Sequence, residues 1–283
     1  MKKLLRASAI PFALALILAA CSNNKATPPQ ASGPSATANP CSSPPVKDAG
    51  ALTVAAEYPY YAPFLIGAQA APTGFEADVI NGIAKRLGLN RVAWVNIAFD
   101  QLYAPGPKQW DVGVSEITIT AERDKAVDFS APYFDANQGI LVRSDSKYAS
   151  ATSTDQLLDA RFGAEAGTTG LDYVNQHVKP QKKVSQFDTT DVTAQALKTG
   201  TIDIQVIDVP IAVGIIQGSQ VPLKLIGEFI TNEKYGLAME EGSPLKTCVD
   251  TAINDLKSSG ELEKSQLKYF PGSTPLPEFK PTV

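Results

Sequence analysis

Residues 75–88 read Phe75-Glu76-Ala77-Asp78-Val79-Ile80-Asn81-Gly82-Ile83-Ala84-Lys85-Arg86-Leu87-Gly88. Phe75, Val79, Ile83 and Leu87 recur every four residues, with Ile80 and Ala84 beside them. One face of a helix is therefore apolar, and Gly88 ends it. Short apolar runs at residues 52–55 and 91–95 flank this helix, and each reads as a strand. Strand, helix and strand in succession form the unit from which layered α/β folds with largely parallel sheets are built.

The alternation continues outward. Residues 111–115 and 139–142 are further strand candidates. In the second half, residues 162–164 lead to a helix from about 169 to 177 and a β segment near Val184. A helix ending at Lys198-Thr199-Gly200 then precedes an apolar strand over 202–207. Residues 235–239 are strand-like. From Ser243 a capped helix carries Leu245, Val249, Ala252, Ile253 and Leu256 on one side and stops at Gly260. Residues 262–270 read as a last short helix, and the Pro-rich tail after Pro271 is expected to be loosely held. Two α/β lobes fit this order better than one, and no internal repeat is visible.

The N-terminus reads as an export signal. Residues 1–6 are basic, through Lys2, Lys3 and Arg6, and residues 7–20 are an apolar run broken only by Ser8 and Pro11. That run is too short to span a bilayer and suits a secretory h-region. Leu18-Ala19-Ala20-Cys21 resembles the lipobox of bacterial lipoproteins, which implies cleavage before Cys21 and a lipid on its sulfur. Residues 22–45 are rich in Ser, Pro, Ala, Asn and Thr, with Lys25 the only charge before Lys47. Such a segment buries too little to order itself, and residues 21–45 are expected to be a disordered tether. The body is expected outside the cytoplasm, anchored to a membrane or facing a periplasm.

The chain is 283 residues long with a net charge of −4, and loss of the signal segment removes three cations more. An acidic chain without basic runs is a poor partner for nucleic acid. Export permits disulfides. With Cys21 acylated, Cys41 and Cys248 remain as an even pair, and a disulfide is expected over two free thiols. Two cysteines and the single His177 make a structural zinc site unexpected, and no cofactor is foreseen.

Three further segments carry a family resemblance: Tyr61-Ala62-Pro63-Phe64, Gly74-Phe75-Glu76-Ala77-Asp78-Val79, and Ile117-Thr118-Ile119-Thr120-Ala121-Glu122-Arg123. The last runs on into Val127-Asp128-Phe129-Ser130-Ala131-Pro132-Tyr133. In order and spacing they resemble the extracellular solute-binding proteins, family 3, which serve polar amino-acid ABC importers. The resemblance covers nearly everything from Leu52 to Phe270. It implies a two-lobed, type II periplasmic-binding-protein-like fold with two crossover hinge strands, near residues 135–137 and 231–233. Lobe 1 would comprise residues 46–134 plus 234–283, and lobe 2 residues 138–230. A monomer that closes on a free amino acid and then docks on permease subunits is implied.

An amino-acid receptor must satisfy a carboxylate, an ammonium and one variable side chain, all nearly dry. Arg123 matches the family arginine that forks onto the ligand carboxylate, a geometry guanidinium suits. Thr118 matches a position whose backbone and hydroxyl meet the ligand. Glu165-Ala166-Gly167-Thr168-Thr169 leads from a strand into a helix, where free N–H groups and the hydroxyl of Thr168 or Thr169 can meet an anion. Asp208, at the carboxyl end of an apolar strand, matches the aspartate that pairs with the ligand ammonium. It could instead cap the helix that carries Pro210. Tyr61 and Phe99 fall at positions that sandwich the ligand side chain. Tyr58-Pro59-Tyr60-Tyr61 has one residue more than the family pattern, so the acidic side-chain reader corresponds to Glu57 or its place is filled by Tyr58.

Glu116 stands where many relatives carry glycine or serine. Glu57, Glu116, Glu165 and Asp208 together would make an electronegative slot, which suits arginine or lysine. The same fold also supports enzymes that resemble cyclohexadienyl dehydratase, in which Glu165 would serve as an acid. No Ser–His–Asp arrangement, phosphate loop or metal cluster accompanies it in the sequence, and binding without chemistry is the expectation.

Overall fold

β1 (Ala51–Ala56) is buried along nearly its whole length, as a central strand with cover on both faces must be. The chain then enters α1 (Phe75–Arg86) through Gly74, whose φ of 119° puts it where a Cβ would lie 2.2 Å from the Phe64 carbonyl oxygen. It returns as β2 (Arg91–Asn96), parallel to β1. The short α2 (Phe99–Leu102) and β3 (Val112–Gly113) follow, with β3 on the other edge of β1. After β4 (Val127–Phe129), the ten-residue β5 (Phe134–Arg143) leaves this sheet.

The second lobe contains β6 (Phe162–Glu165), α3 (Thr169–Tyr173), β7 (Ser185–Phe187), α4 (Thr190–Lys198), β8 (Ile204–Asp208) and α5 (Val209–Gly218). The chain crosses back along β9 (Leu223–Tyr235). It finishes the first lobe with β10 (Ala238–Glu240), α6 (Lys246–Ser258) and α7 (Glu261–Tyr269). These elements come from a computed structural model that describes residues 40–272 and 275–281, all within one unit, residues 39–283. The expected signal segment, the expected lipid attachment at Cys21 and the expected tether up to residue 39 lie outside the described residues.

Two five-stranded sheets result, ordered β2-β1-β3-β10-β4 and β7-β6-β8-β5-β9. They are mixed rather than largely parallel. β5 runs antiparallel to β8 and β9 because one carries the chain out of the first lobe and the other brings it back. The two pair continuously from Phe134↔Tyr235 to Arg143↔Leu223, with a register shift between Ala136 and Gln138. At that shift the Asn137 side-chain oxygen accepts from the backbone N–H groups of Thr231 and Asn232, at 3.1 and 3.0 Å. A side chain thus replaces ladder bonds where the strands pass between lobes.

In the first lobe, Ile80 and Ile83 of α1 pack with Val249, Ile253 and Leu256 of α6 on one side of the sheet. Leu102, Trp110, Ile117 and Phe129 form a cluster with Ala55 and Ala238. In the second lobe, Ile140, Phe162, Val174, Val206 and Phe229 form the core. A disulfide joins Cys41 to Cys248 of α6 across 207 residues of sequence, a cross-link of a size that stabilises by about 3–5 kcal/mol.

Two expectations are corrected. α6 starts at Lys246 without a side-chain cap. Ser243 precedes it, donates its N–H to Asp128 at 3.0 Å, and accepts from the Leu245 N–H. The tail is not loose. Phe279 is 1% exposed within the core of the second lobe. The Glu228 N–H donates to the Pro277 carbonyl at 2.9 Å, the Phe279 N–H donates to the Glu228 carbonyl at 2.8 Å, and the Thr154 hydroxyl donates to the Lys280 carbonyl. Gly227 makes room, since a Cβ there would lie 2.3 Å from the Phe279 ring. Residues 277–280 therefore pack with lobe 2 and not, as expected, with lobe 1. A single aromatic side chain among prolines finds an apolar seat, and burial of that ring outweighs the ordering of a short segment.

Candidate functional site

The carboxyl ends of β1, β3, β6 and β8 converge where the two lobes face each other, the usual ligand position in α/β sheets. A cleft lined from both lobes lies there. Its lining includes Glu57, Tyr61, Phe99, Glu116, Thr118 and Arg123 from the first lobe. Glu165, Thr168, Thr169 and Asp208 come from the second.

Arg123 is buried, and its guanidinium reaches both lobes. It donates to the Thr118 carbonyl at 2.8 Å and to the Gly167 carbonyl at 2.9 Å. Its charge lies over the Tyr103 ring at 4.2 Å and near Phe99 at 5.4 Å. Guanidinium has five N–H donors, so these two bonds leave three for a ligand. Tyr103 also donates its hydroxyl to the Gly167 carbonyl, at 2.9 Å.

Asp208 stands at the N-cap position of α5 but makes no side-chain cap bond. Its two oxygens instead accept from the Gln138 amide and the Tyr235 hydroxyl. Burial, reinforced by Glu233, pushes its carboxyl up to about 7. Thr168 does act as a cap. Its hydroxyl oxygen accepts from the Leu171 N–H at 3.3 Å while the hydroxyl donates to the Glu165 carbonyl. The Thr118 and Thr169 hydroxyls each donate to Glu233 at 2.7 Å.

Glu57 lines the cavity, while Tyr58 is 43% exposed outside it. The Tyr58 N–H donates to Asn96 and its ring meets Tyr60 edge-on. Of the two alternatives, Glu57 faces the cavity and Tyr58 does not, so Tyr58 is withdrawn from the candidate set. The cause is strand parity at the end of β1, where successive side chains point to opposite faces. The Glu57 carboxylate accepts from the Phe99 N–H at 3.4 Å and the Tyr61 hydroxyl at 3.5 Å, and burial raises its pKa. Burial first, then Glu57, pushes Glu165 up to about 8. Glu116 is raised well above the carboxylate range by burial and by the neighbouring Glu76.

Several lining or supporting residues were not foreseen. Gln138 donates to Glu233 at 3.0 Å as well as to Asp208, so it ties the hinge strands to the slot. Gln138 and Gln205 both line the cavity, and the side-chain oxygen of each is buried without a partner among the described residues. Gln205 gave a signal, being polar within the apolar run 202–207. Glu76 gave another, since it shares the α1 face with Ile80 and Ile83 at helical spacing. Glu233 and Ser115 gave none. His177 stacks against Tyr173 and does not line the cavity.

This pairing of a two-sheet fold with a slot between lobes coincides with a sequence match. The description of the bacterial extracellular solute-binding proteins, family 3, matches residues 52–272. The chain belongs to that family. Among family 3 relatives is the L-cystine-binding protein TcyJ of Escherichia coli (strain K12), 28% identical over 226 residues, which cover 80% of this chain and 84% of the relative. An ancestral arginine-binding protein bound to arginine is 32% identical with a TM-score of 0.70, covering 78% of this chain and 98% of that one. An ancestral amino acid-binding protein, a precursor of cyclohexadienyl dehydratase, is 30% identical with a TM-score of 0.68, covering 78% and 95%. Family 3 proteins are extracellular by description, and the curated relatives are binding proteins rather than enzymes. No helix among the described residues is long and apolar enough to cross a membrane.

Proposed function

We propose that this chain is the extracytoplasmic, lipid-anchored receptor of an ABC importer and captures a cationic amino acid, arginine or lysine. One observation carries the ligand class. Four carboxyl groups, Glu57, Glu116, Glu165 and Asp208, line a slot that contains Arg123 as its only cation among the lining residues. The two unpartnered amide oxygens of Gln138 and Gln205 add acceptors and no donors. A ligand rich in N–H groups and positive charge complements that surface.

In this reading Arg123 takes the ligand carboxylate, with Thr118, Thr168 and Thr169 beside it. Asp208 takes the α-ammonium. Tyr61 and Phe99 wall the side chain, and Glu57 and Glu165, one from each lobe, receive its distal charge. Each ligand group thus adds a contact that bridges the lobes, and differential affinity for the closed state draws residues 46–134 and 138–230 together about the hinge. The loaded monomer would dock on permease subunits, held nearby by the lipid on Cys21. The ligands named for relatives, cystine and arginine among them, support an amino acid.

Glu165, raised to about 8 while the slot is empty, can donate a proton near neutral pH when no cation faces it, and so favours a second reading as the acid of a dehydratase. The electronegative slot disfavours the anionic cyclic acids such an enzyme would take. A thermal-shift screen of the protein against all twenty amino acids and chorismate-pathway acids decides between the two. Stabilisation by arginine or lysine supports the receptor, whereas a response to the cyclic acids alone overturns it.

A further inference from the structure

Glu116 combines four features that a lining residue rarely has together. Its φ of 49° lies in the left-handed region, which glycine takes freely and glutamate only at a cost. It lines the cavity yet is 6% exposed, and the carboxyl directly behind it, Glu76 of α1, is 0% exposed. Glu76 also fixes the turn, because its Oε1 accepts the Glu116 N–H at 2.9 Å and the Tyr133 hydroxyl as well. The other Glu76 oxygen, Oε2, is buried without a partner among the described residues. A protonated Glu116 carboxyl is a donor that this environment lacks.

The surroundings are anionic or neutral on every side. The titratable groups whose charge acts on Glu116 or responds to it are Glu76 and Tyr133, Glu57 after β1, Asp208 of β8 and Tyr235 of β9. Tyr61 also borders it. Arg123 is already engaged by two carbonyls. None of the ion pairs among the described residues involves Glu76 or Glu116. Two neighbouring buried carboxyls, linked through the Glu116 N–H and without a cation, hold one proton between them.

We propose that Glu116, backed by the positioning residue Glu76, is a charge-exchange reader of the slot. It shares a proton with Glu76 while the slot is empty and releases that proton to solvent when the ligand's cationic group takes its place. Charge balances across the step. The ligand brings one positive charge against Glu116, the O–H bond breaks, and the proton passes to the buffer. This inference rests on the slot taking an amino acid. It adds that capture is linked to protons, and it explains why glutamate occupies a position that glycine would fill without strain.

The test is calorimetric titration of the full chain with L-arginine and L-glutamine at pH 6, 7 and 8, in buffers of differing ionisation enthalpy. Asp208 and Glu165, raised to about 7 and 8, also give up protons to a bound cation, so the Glu116 share is read as the difference in release between the wild-type protein and its variants, expected to be close to one proton. Glu116→Gln and Glu76→Gln are each expected to bind with the release lowered by close to one proton. Both are used so that failure of one variant to fold leaves the other to decide. Two outcomes overturn the inference while leaving the receptor reading intact. One is binding whose heat is the same in every buffer, which the wild-type protein alone can reveal. The other is a release undiminished in both variants, which would assign the proton to Glu165 or Asp208. Failure of every amino acid to bind overturns both readings.

Discussion

The Arg123 guanidinium of the first lobe donates to the Gly167 carbonyl of the second at 2.9 Å. The cation proposed to hold the ligand carboxylate is thus also part of the contact between lobes. Gly167 has a φ of 76°, and a Cβ on it would lie 2.4 Å from the Tyr103 hydroxyl, so the approach needs a glycine.

Arg123→Ala should therefore remove ligand anchoring and a lobe contact together. Amino-acid affinity is expected to fall by more than about 100-fold, since truncating one partner of a buried charge pair costs 2–5 kcal/mol. Titration calorimetry measures the loss, and an unchanged circular dichroism spectrum confirms folding. Retained affinity in the folded variant would sink the site assignment.

A second close approach between the lobes does not involve Arg123. Gly214 of α5 approaches residue 62 so closely that a Cβ would lie 1.8 Å from the Ala62 carbonyl oxygen. Gly214 does not line the slot. Gly214→Ala is expected to hold the lobes apart and weaken binding about tenfold or more, and X-ray scattering should show an expanded liganded form. Wild-type affinity in this variant would mean that closure does not use the contact.

Five buried acids set the pH response of the empty protein, Glu57 among them, raised by burial. Burial is the leading cause in each, raising Glu76 and Asp208 to about 7, Glu165 to about 8, and Glu116 well above its usual range. Between their unfolded values near pH 4.5 and these folded values, the native state binds more protons than the unfolded chain. Stability therefore falls as pH rises through this window. The carboxyls lowered by surface partners, such as Asp159 and Asp203, act only at lower pH. The melting temperature of the empty protein should drop by roughly 5 °C from pH 5.5 to 8. A flat or rising profile would contradict the buried-acid account.

Phe279 docks the tail in the core of the second lobe. Phe279→Ala should cost about 3 kcal/mol in urea unfolding, within the usual range for deleting a buried phenyl ring. Gly227→Ala should show a similar loss by expelling the same ring. An effect under about 0.5 kcal/mol in both would mean that the tail is not bound in solution.

Much of this was legible beforehand because it follows from period. The α1 face, the parallel β1 and β2, and acids placed after apolar strands are local patterns. Gln138 and Glu233 were not legible, because they lie on crossover strands whose partners are set by the meeting of two lobes. Glu76 could have been read from its place beside Ile80 and Ile83, a charge on an apolar stripe. Phe279 could have been read as an aromatic residue with no reason to stay in water. Glu57 against Tyr58 depended on where β1 ends, and boundaries are the least local feature of a strand.

The central claim is that the acids of the slot select a cationic side chain. Its most direct test is the affinity of the wild-type protein for L-arginine against L-glutamine, repeated with Glu57→Gln and Glu165→Gln. Arginine is expected to bind at least about tenfold more tightly, with each substitution lowering that ratio and leaving glutamine affinity nearly unchanged. Equal or tighter binding of glutamine by the wild-type protein would contradict the claim.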